Sequence, residues 1–264
     1  MTIFQAILIA IIEGLTEFLP ISSTAHMRFA NPLLGVEASP FVNMFEVVIQ
    51  FAAILSVVVI FYKKFFDFKR TSFYLKLIIA VIPALIVGSI LKNYIDEALD
   101  NLVFIACVMI GGGILLLFID KLFKRNNIDE EKEISLYRAF VIGCFQCFSI
   151  LLPGLSRSAA TIVGGMQQKL TRTLAAEFSF FLAVPTMFAA SVKSFWDVYK
   201  DHPDTMVSSN ISVLAIGAVV SFIVALVAVK SFIGYLQKHG FKVFGIYRII
   251  LGVVILALAL KGML

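Results

Sequence analysis

Two short polar segments interrupt an otherwise apolar sequence, and they carry the side chains best suited to chemistry. In the first segment, Glu13 and Glu17 stand four positions apart, which places two carboxylates on one face of a helix. The same segment adds hydroxyls and one imidazole, on Ser22, Ser23, Thr24 and His26. The second segment supplies a guanidinium and further hydroxyls, on Ser156, Arg157, Ser158 and Thr161.

This set of groups is typical of phosphoryl transfer, in which positioning and charge neutralisation provide most of the catalysis. A hard divalent cation, Mg²⁺ or Ca²⁺, binds through carboxylates together with phosphate oxygens, so Glu13 and Glu17 are the candidate metal ligands. Arg157 is suited to grip a phosphate with two hydrogen bonds. Each serine taken singly is as consistent with capping the backbone as with substrate binding. The pattern therefore leaves the nucleophile open.

The composition indicates a membrane protein and not a soluble enzyme. Of the 264 residues, 60% are hydrophobic and only 15% are charged, whereas soluble domains carry about 25% charged residues. The net charge of +5 comes from short basic loops between apolar runs. This is the arrangement of cytoplasmic loops in membrane proteins and argues against nucleic-acid binding.

The apolar runs predict an all-α fold with about six transmembrane helices. Apolar runs of about 18–20 residues with few charges are long enough to cross the hydrocarbon core as helix, and the candidates are roughly 43–62, 73–91, 101–120, 175–196, 211–230 and 244–262. Two more apolar regions, 3–33 and 136–168, are broken near the middle by Pro20 and Pro153. Backbone broken at membrane depth is tolerated only inside protein or beside a water-filled cavity. We therefore expect two re-entrant helix-loop-helix hairpins.

The charged loops predict which ends of the helices share a side of the membrane. Basic residues cluster in loops that fall on one side, which should be cytoplasmic: Lys63, Lys64, Lys69, Arg70, Lys121, Lys124, Arg125, Lys169, Arg172, Lys230, Lys238 and Lys242. The loops 92–101 and 197–210 on the other side are acidic. The first hairpin then enters from outside and the second from inside.

A repeat accompanies this alternation. Pro20 and Pro153 lie 133 positions apart, and Glu13 and Gln146 each stand seven residues before them. We predict one membrane domain, 1–264, built from two halves of inverted topology, 1–132 and 133–264. Inverted repeats with broken helices place their site near the bilayer midplane.

The two polar segments also carry a family resemblance. Glu-Gly-Leu-Thr-Glu-Phe-Leu-Pro-Ile-Ser-Ser-Thr-Ala-His (13–26) and Pro-Gly-Leu-Ser-Arg-Ser-Ala-Ala-Thr (153–161) resemble the two signatures of the undecaprenyl-diphosphate phosphatase family, the bacitracin-resistance protein type. Segments 45–50 and 177–185 are similar to that family as well, so the likeness spans nearly the whole chain. Ala25 and Ala159 stand where the family usually has glycine, and a Cβ there is expected to restrict positive φ.

The resemblance implies an activity and roles for individual residues. The family hydrolyses undecaprenyl diphosphate to the monophosphate and phosphate, with a divalent cation, on the outer side of the bacterial inner membrane. It thereby recycles the peptidoglycan lipid carrier and protects against bacitracin. By resemblance, Glu13 and Glu17 fill the acidic motif, and Ser23 and His26 fill the reactive positions. Arg157, with Ser156 and Thr161, fills the phosphate-binding motif, to which we add Ser22, Thr24 and Ser158 as substrate-binding candidates.

Several alternatives remain at this point. The attacking group is Ser23, His26 or a water activated by one of them. A transporter or lipid flippase would share the inverted repeats and broken helices, with or without hydrolysis. A purely structural membrane partner leaves the buried acids unexplained. The glycine run 111–113 allows close helix contact, and homodimer packing is left open.

Overall fold

The computed structural model describes residues 1–205 and 207–262, and every named element among them is helical. Two single-turn 3₁₀ helices occupy Glu131–Glu133 and Pro203–Thr205. The α-helices are α1 (Ile3–Thr16), α2 (Ser23–Leu33), α3 (Pro40–Ile60), α4 (Tyr62–Phe65), α5 (Thr71–Ile90), α6 (Lys92–Asp100), α7 (Leu102–Leu122), α8 (Leu136–Leu151), α9 (Arg157–Gln167), α10 (Arg172–Asp201), α11 (Ser208–Lys238) and α12 (Lys242–Leu260).

Six of these helices are long and apolar enough to cross a membrane, which confirms the predicted all-α membrane fold. They are α3, α5, α7, α10, α11 and α12. The predicted bounds of α10 and α11 are too short, because these helices have 30 and 31 residues. Helices of that length exceed the hydrocarbon core and must tilt or project beyond it. In α10 the extra turns lie after the apolar stretch, where composition gives no helix signal.

The two broken regions form pairs of short helices. The helices α1 and α8 contain 14 and 16 residues, about 21 and 24 Å at 1.5 Å per residue, and neither reaches across about 30 Å of hydrocarbon. The loop 17–22 separates α1 from α2, and the loop 152–156 separates α8 from α9. Each pair packs against itself. That the pairs are re-entrant in a bilayer remains a prediction.

Helices from the two halves of the chain interleave. In the first half α1 packs against α11, and the corresponding α8 of the second half packs against α5. The corresponding helices α3 and α10 pack against each other, as do α7 and α12. When each helix is replaced by its counterpart in the other half, the α1–α11 contact becomes the α8–α5 contact, and the α3–α10 and α7–α12 contacts are unchanged. A two-fold relation between the halves would require this. The opposite orientation of the halves remains a prediction.

An aromatic cluster fixes the end of α1 against α10. Phe18 follows Glu17 directly, is fully buried, and packs edge to face on Phe180 with ring centroids 5.1 Å apart. Buried aromatic pairs in this geometry are worth about 0.5–1.5 kcal/mol beyond the area they bury. Since Phe180 neighbours Ser179, this contact brings the first polar segment against the part of α10 that contacts the second polar segment.

The glycine run on α7 is used within the chain. Gly113 is buried against α12, where a Cβ would lie 2.8 Å from the carbonyl oxygen of Gly245. Gly112 is buried against Arg248 of the same helix, whereas Gly111 faces open space. The close helix contact expected of this run is therefore intramolecular, and a homodimer remains a prediction.

Candidate active site

The two loops have the same local structure. Ser22 and Ser156 adopt positive φ angles of 70° and 76° and cap the starts of α2 and α9. Their Oγ atoms accept hydrogen bonds of 3.3 Å from the amides of Ala25 and Ala159. Non-glycine residues rarely adopt positive φ, and such strain is concentrated at functional sites. The chain therefore turns sharply into each helix and places the following side chain, Ser23 or Arg157, at the helix start.

Glu17 is the meeting point of the two loops. The Ser23 hydroxyl donates a hydrogen bond of 2.6 Å to its Oε2, and Arg157 Nη2 donates one of 2.8 Å to its Oε1. Both carboxylate oxygens are thus bound, one from each predicted segment. Charge-assisted hydrogen bonds of this kind are about twice as strong as neutral ones. The structure brings together the acid, the guanidinium and one hydroxyl that the sequence singled out.

The orientation of Arg157 is set by α10. Its Nη1 donates to the carbonyl oxygen of Ser179 at 3.1 Å. Its Nε is buried and makes no hydrogen bond to any residue that the structure describes. A guanidinium held by two of its nitrogens, with a third donor free, keeps capacity to bind an anion.

Glu13 lies one helical turn before Glu17 and is fully buried. Neither of its carboxylate oxygens has a hydrogen-bond partner among the described residues, a costly state for a buried acid unless a cation or proton accompanies it. The described residues contain no cluster of three or more His, Cys, Asp or Glu arranged to hold a metal. Two carboxylates with free lone pairs nevertheless fit Mg²⁺, which usually takes one or two carboxylates and completes its shell with water and phosphate.

A cavity of about 560 Å³ opens beside this group, and its buried wall is polar. Residues of both loops line that wall: Glu17, Ser22, Ser23, Thr24, Pro153, Gly154, Ser156 and Arg157. At the other end the lining is exposed and comes from α5 and α10, including Ser89 and Lys193. Ile95 and Leu99 of α6 also line the cavity. A cleft with a few convergent polar groups and apolar walls is the usual form of a small-molecule site.

His26 does not lie on the wall of this cavity. Its Nδ1 is 2.7 Å from the carbonyl oxygen of Ser22, and its Nε2 is 2.7 Å from the hydroxyl of Tyr247, whose ring stacks on it. Since a carbonyl only accepts, Nδ1 carries the hydrogen, and Nε2 of the neutral ring accepts from Tyr247. Both nitrogens of the predicted reactive imidazole are occupied.

Two of the predicted substrate-binding hydroxyls also do not line the cavity. Ser158 is fully buried and donates to the carbonyl oxygen of Leu19 at 2.9 Å, a bond between the two loops. Thr161 is fully buried and bonds the Ser179 hydroxyl at 2.6 Å. The structure assigns both hydroxyls protein partners, while Ser22, Thr24 and Ser156 line the cavity.

The sequence motifs did not indicate several groups around the site. Arg248 of α12 is fully buried and bonds carbonyl oxygens of both loops. Gln146 lines the cavity and bonds Thr186, and Lys193 stands at the exposed end. One signal was available for Arg248, because a single arginine inside an otherwise apolar span is a functional candidate by default. Lys193 gives no comparable signal, because it lies near the end of the apolar run 175–196.

Ala25 and Ala159 do not occupy the strained positions. Both are helical residues in the first turns of α2 and α9, and the positive φ angles belong to Ser22 and Ser156. The expectation that a Cβ at the alanines would restrict a positive φ is therefore wrong. Both alanines are buried, so what their methyl groups affect is packing.

The chain matches a known family and named relatives along nearly its whole length. The family described as bacitracin resistance protein BacA matches residues 6–254. The chain is 49% identical to the undecaprenyl-diphosphatase of Porphyromonas gingivalis over 99% of this chain and 98% of that protein. It is 51% identical to the undecaprenyl-diphosphatase of Flavobacterium psychrophilum (97% and 95%) and 43% identical to that of Bdellovibrio bacteriovorus (99% and 98%). The chain belongs to the bacitracin resistance protein BacA family.

Proposed function

We propose that this membrane protein hydrolyses undecaprenyl diphosphate to undecaprenyl phosphate and inorganic phosphate. The relatives that match along nearly the whole chain carry the name of that activity. The observation that supports it on this chain is the linked group Ser23–Glu17–Arg157 on the wall of the cavity. A nucleophile within hydrogen-bond reach of a base, with the base oriented by a third group, is the arrangement that activates a hydroxyl.

The arrangement supports a two-step displacement. In the first step the Ser23 oxygen forms a bond to the terminal phosphorus while Glu17 takes its proton. The bond from that phosphorus to the bridging oxygen breaks, and the lipid monophosphate leaves, carrying away the proton held by Glu17. In the second step water attacks the phosphoserine, Glu17 takes a proton from the water, and Ser23 regains a proton as phosphate departs. Arg157 stabilises the charge on the equatorial oxygens.

The geometry favours Ser23 over the other two candidates for the attacking group. Ser23 lines the cavity and already donates to Glu17, whereas His26 lies off the wall with both ring nitrogens bonded. An attacking water would use the same base, Glu17, and would leave no phosphorylated residue. Rapid quenching with ³²P-labelled substrate separates these cases, because phosphoserine is acid-stable, phosphohistidine is acid-labile, and water attack gives no adduct.

A divalent cation would be held by Glu13 and Glu17 and by the phosphate oxygens of the substrate. When bound, it would neutralise part of the diphosphate charge. Two features of the chain support this proposal: the free oxygens of Glu13 and the position of Glu17 one turn later on the same helix. Glu13 is not on the cavity wall, so Glu17 is the carboxylate of the pair that faces the cavity.

The cavity suits the head of the lipid and not its tail. A volume of about 560 Å³ accommodates a drug-sized group, far less than an undecaprenyl chain. The diphosphate therefore enters the polar end, while the polyprenyl chain remains in the surrounding lipid, beside the apolar residues of α5 and α6.

The position of the exposed end of the cavity indicates on which side of the membrane the protein acts. That end is formed by the ends of α5 and α10 and by α6, close to the acidic segments 92–101 and 197–210. The segment 92–101, which was predicted to be a loop, is mostly helix α6. The positive-inside rule assigns the opposite, basic ends to the cytoplasm. We therefore place the chain in the bacterial inner membrane with its site open to the outer side, where it would recycle the cell-wall lipid carrier and limit the target of bacitracin.

Reconstitution tests this function against the transporter alternative. Purified protein in vesicles receives a polyprenyl diphosphate, with phosphate release and transbilayer movement of the lipid followed separately, with and without chelator. We expect phosphate release that requires a divalent cation and is lost in Ser23→Ala but retained in Ser56→Ala, a buried serine on α3 away from the cavity. Lipid movement without phosphate release would overturn the proposal.

A further inference from the structure

Arg248 is buried between α12, α7 and the two loops, in a position no polar motif of the sequence indicates. Its exposed fraction is 0%, and no carboxylate of the described residues lies within ion-pair distance. A buried cation without an acidic partner is costly. Its position must therefore be stabilised by other groups, and those groups are carbonyl oxygens.

Four hydrogen bonds from Arg248 converge on backbone oxygens. Nη1 donates to Pro20 at 3.0 Å and to Leu155 at 2.7 Å, Nη2 donates to Gly154 at 2.9 Å, and Nε donates to Met109 at 3.3 Å. A single nitrogen, Nη1, therefore joins the first loop to the second. No other side chain supplies five donors in a fixed plane.

Three of the four bonded carbonyls, those of Pro20, Gly154 and Leu155, are released by the breaks in the two apolar regions, whereas that of Met109 lies within α7. Pro20 is two residues before Ser22, and Leu155 is directly before Ser156, so both precede the residues with positive φ. Helix ends leave carbonyl oxygens without intrahelical partners, and unsatisfied groups at membrane depth carry a large free-energy cost. Arg248 satisfies these oxygens from both loops at once.

We infer that Arg248 is a positioning residue that clamps the two loops in register and thereby sets the Ser23–Glu17–Arg157 geometry. It does not line the cavity and has no place in the bond-making steps. The inference rests on the proposed phosphatase activity for its consequence, but the clamp itself is a structural relationship. Misplacement of reacting groups by about 1 Å can lower a rate by about 100-fold, so releasing the clamp should reduce turnover more than substrate binding.

Gly112 provides a way to displace the guanidinium without removing it. A Cβ at Gly112 would overlap Nη2 of Arg248, and would lie 3.0 Å from its Cζ and 3.1 Å from Cδ1 of the Leu155 side chain. Gly111, the preceding residue on α7, faces open space. Gly252 of α12 also packs on α7, where a Cβ would lie 2.8 Å from Ile110 Cγ1 and 3.0 Å from the Ala106 oxygen, away from the guanidinium. Gly111→Ala is therefore the control for the glycine-to-alanine substitution itself, and Gly252→Ala is the control for damage to the packing of α12 on α7.

The test measures kcat and KM per folded molecule, the melting temperature, and amide hydrogen exchange in loops 17–22 and 152–156. For Gly112→Ala and Arg248→Lys we expect kcat to fall by about 10- to 100-fold, with KM within about twofold and faster exchange in both loops. Gly252→Ala should lower the melting temperature without changing kcat or loop exchange, and Gly111→Ala should change none of them.

Two results would overturn the clamp. One is Gly112→Ala with kcat within twofold of wild type and unchanged exchange in both loops. The other is a loss of activity in Gly112→Ala that matches only its loss of folded protein, as a packing defect would produce. If Arg248→Lys does not fold, Gly112→Ala decides alone. Wild-type protein that releases no phosphate would refute the proposed function, and loop exchange would still decide the clamp.

Discussion

Arg157 Nη2 donates to Glu17 Oε1 at 2.8 Å, although the two residues are 140 positions apart in the sequence. The contact joins the two loops inside the protein, with both side chains largely buried. Because Ser23 occupies the other oxygen of Glu17, any change at Glu17 affects both the base proposed for Ser23 and the anchor of the guanidinium. Glu17 is therefore the most sensitive position in the site.

Glu17→Gln should lower kcat for phosphate release by about 10²- to 10⁴-fold, the range that a general base contributes. The amide keeps the shape of the side chain but cannot take the Ser23 proton. Glu177→Gln is the matched control, because Glu177 also forms an ion pair of 2.8 Å, with Lys64, outside the cavity. A steady-state phosphate assay checks both variants. Equal losses in the two would show that the effect is structural and would remove Glu17 from the base role.

Tyr247→Phe and His26→Gln should each lower kcat by about tenfold or less, the loss expected when one or two hydrogen bonds are removed. The physical reason is that His26 of α2 and Tyr247 of α12 form one unit off the cavity wall, which supports the first loop without entering the cavity. Ser23→Ala should cost far more. The double variant should be no worse than the single ones, since coupled residues give non-additive effects. A His26→Gln loss as large as that of Ser23→Ala would instead favour the imidazole as the attacking group.

Glu13→Gln should weaken cation binding more strongly than it weakens substrate binding. Its two carboxylate oxygens have no hydrogen-bond partner among the described residues. If they bind the cation as proposed, replacing one of them should raise the half-saturating Mg²⁺ concentration by more than about tenfold, as changes around metal sites commonly do. Binding of Mn²⁺, followed directly by its electron paramagnetic resonance signal, provides a readout independent of turnover. Glu37→Gln, an exposed acid between α2 and α3, is the control. Unchanged Mn²⁺ affinity in Glu13→Gln would exclude Glu13 as a ligand.

The sequence predicted much of the fold because its signals are local. Apolar runs identified the six long helices, and Pro20 and Pro153 marked the two breaks. The meeting of Glu17 with Arg157 was expected from the breaks and the chemistry together. What could not be predicted is which hydroxyl faces the cavity: Thr161 and Ser158 look like Ser23 in sequence, but their direction depends on how α9 packs against α10 and the first loop.

Long-range partners were equally beyond the sequence. Tyr247 and Arg248 lie on α12, more than 220 positions from their partners His26 and Pro20 in the first polar segment. Nothing in the spacing of α12 distinguishes the face that meets α7 from the one that meets lipid. The pairing of α7 with α12 is a property of the packed bundle, and the roles of these two residues follow from it.

Ala25→Gly and Ala159→Gly should lower stability and leave kcat unchanged. Both alanines are helical and buried, and glycine inside a helix costs about 1 kcal/mol relative to alanine. The restored glycines would gain no conformational benefit, because the positive φ angles lie at Ser22 and Ser156. Thermal unfolding in detergent and steady-state kinetics on the same samples check the pair. A gain in kcat would show that the methyl groups hinder the loops during turnover.

Lys193→Gln should raise KM for the diphosphate substrate while leaving kcat nearly unchanged. Among the described residues, the ionisable groups that line the cavity are Glu17, Arg157 and Lys193. The first two neutralise each other, and Lys193 makes no ion pair with a described residue, so it supplies the unbalanced positive charge at the exposed end. A partly exposed cation opposite a multiply charged anion acts mainly through association and is screened by salt.

The expected increase in KM for Lys193→Gln is about three- to tenfold at low ionic strength and smaller at 0.5 M salt, since the Debye length shortens from about 10 Å at 0.1 M toward 3 Å at 1 M. Lys193→Arg should retain the wild-type KM, because the charge is kept. Lys200→Gln is the control on the same helix, exposed and off the cavity wall. A KM that is unchanged in Lys193→Gln at low salt, or that rises equally in Lys200→Gln, would show that the cavity recognises the diphosphate without Lys193.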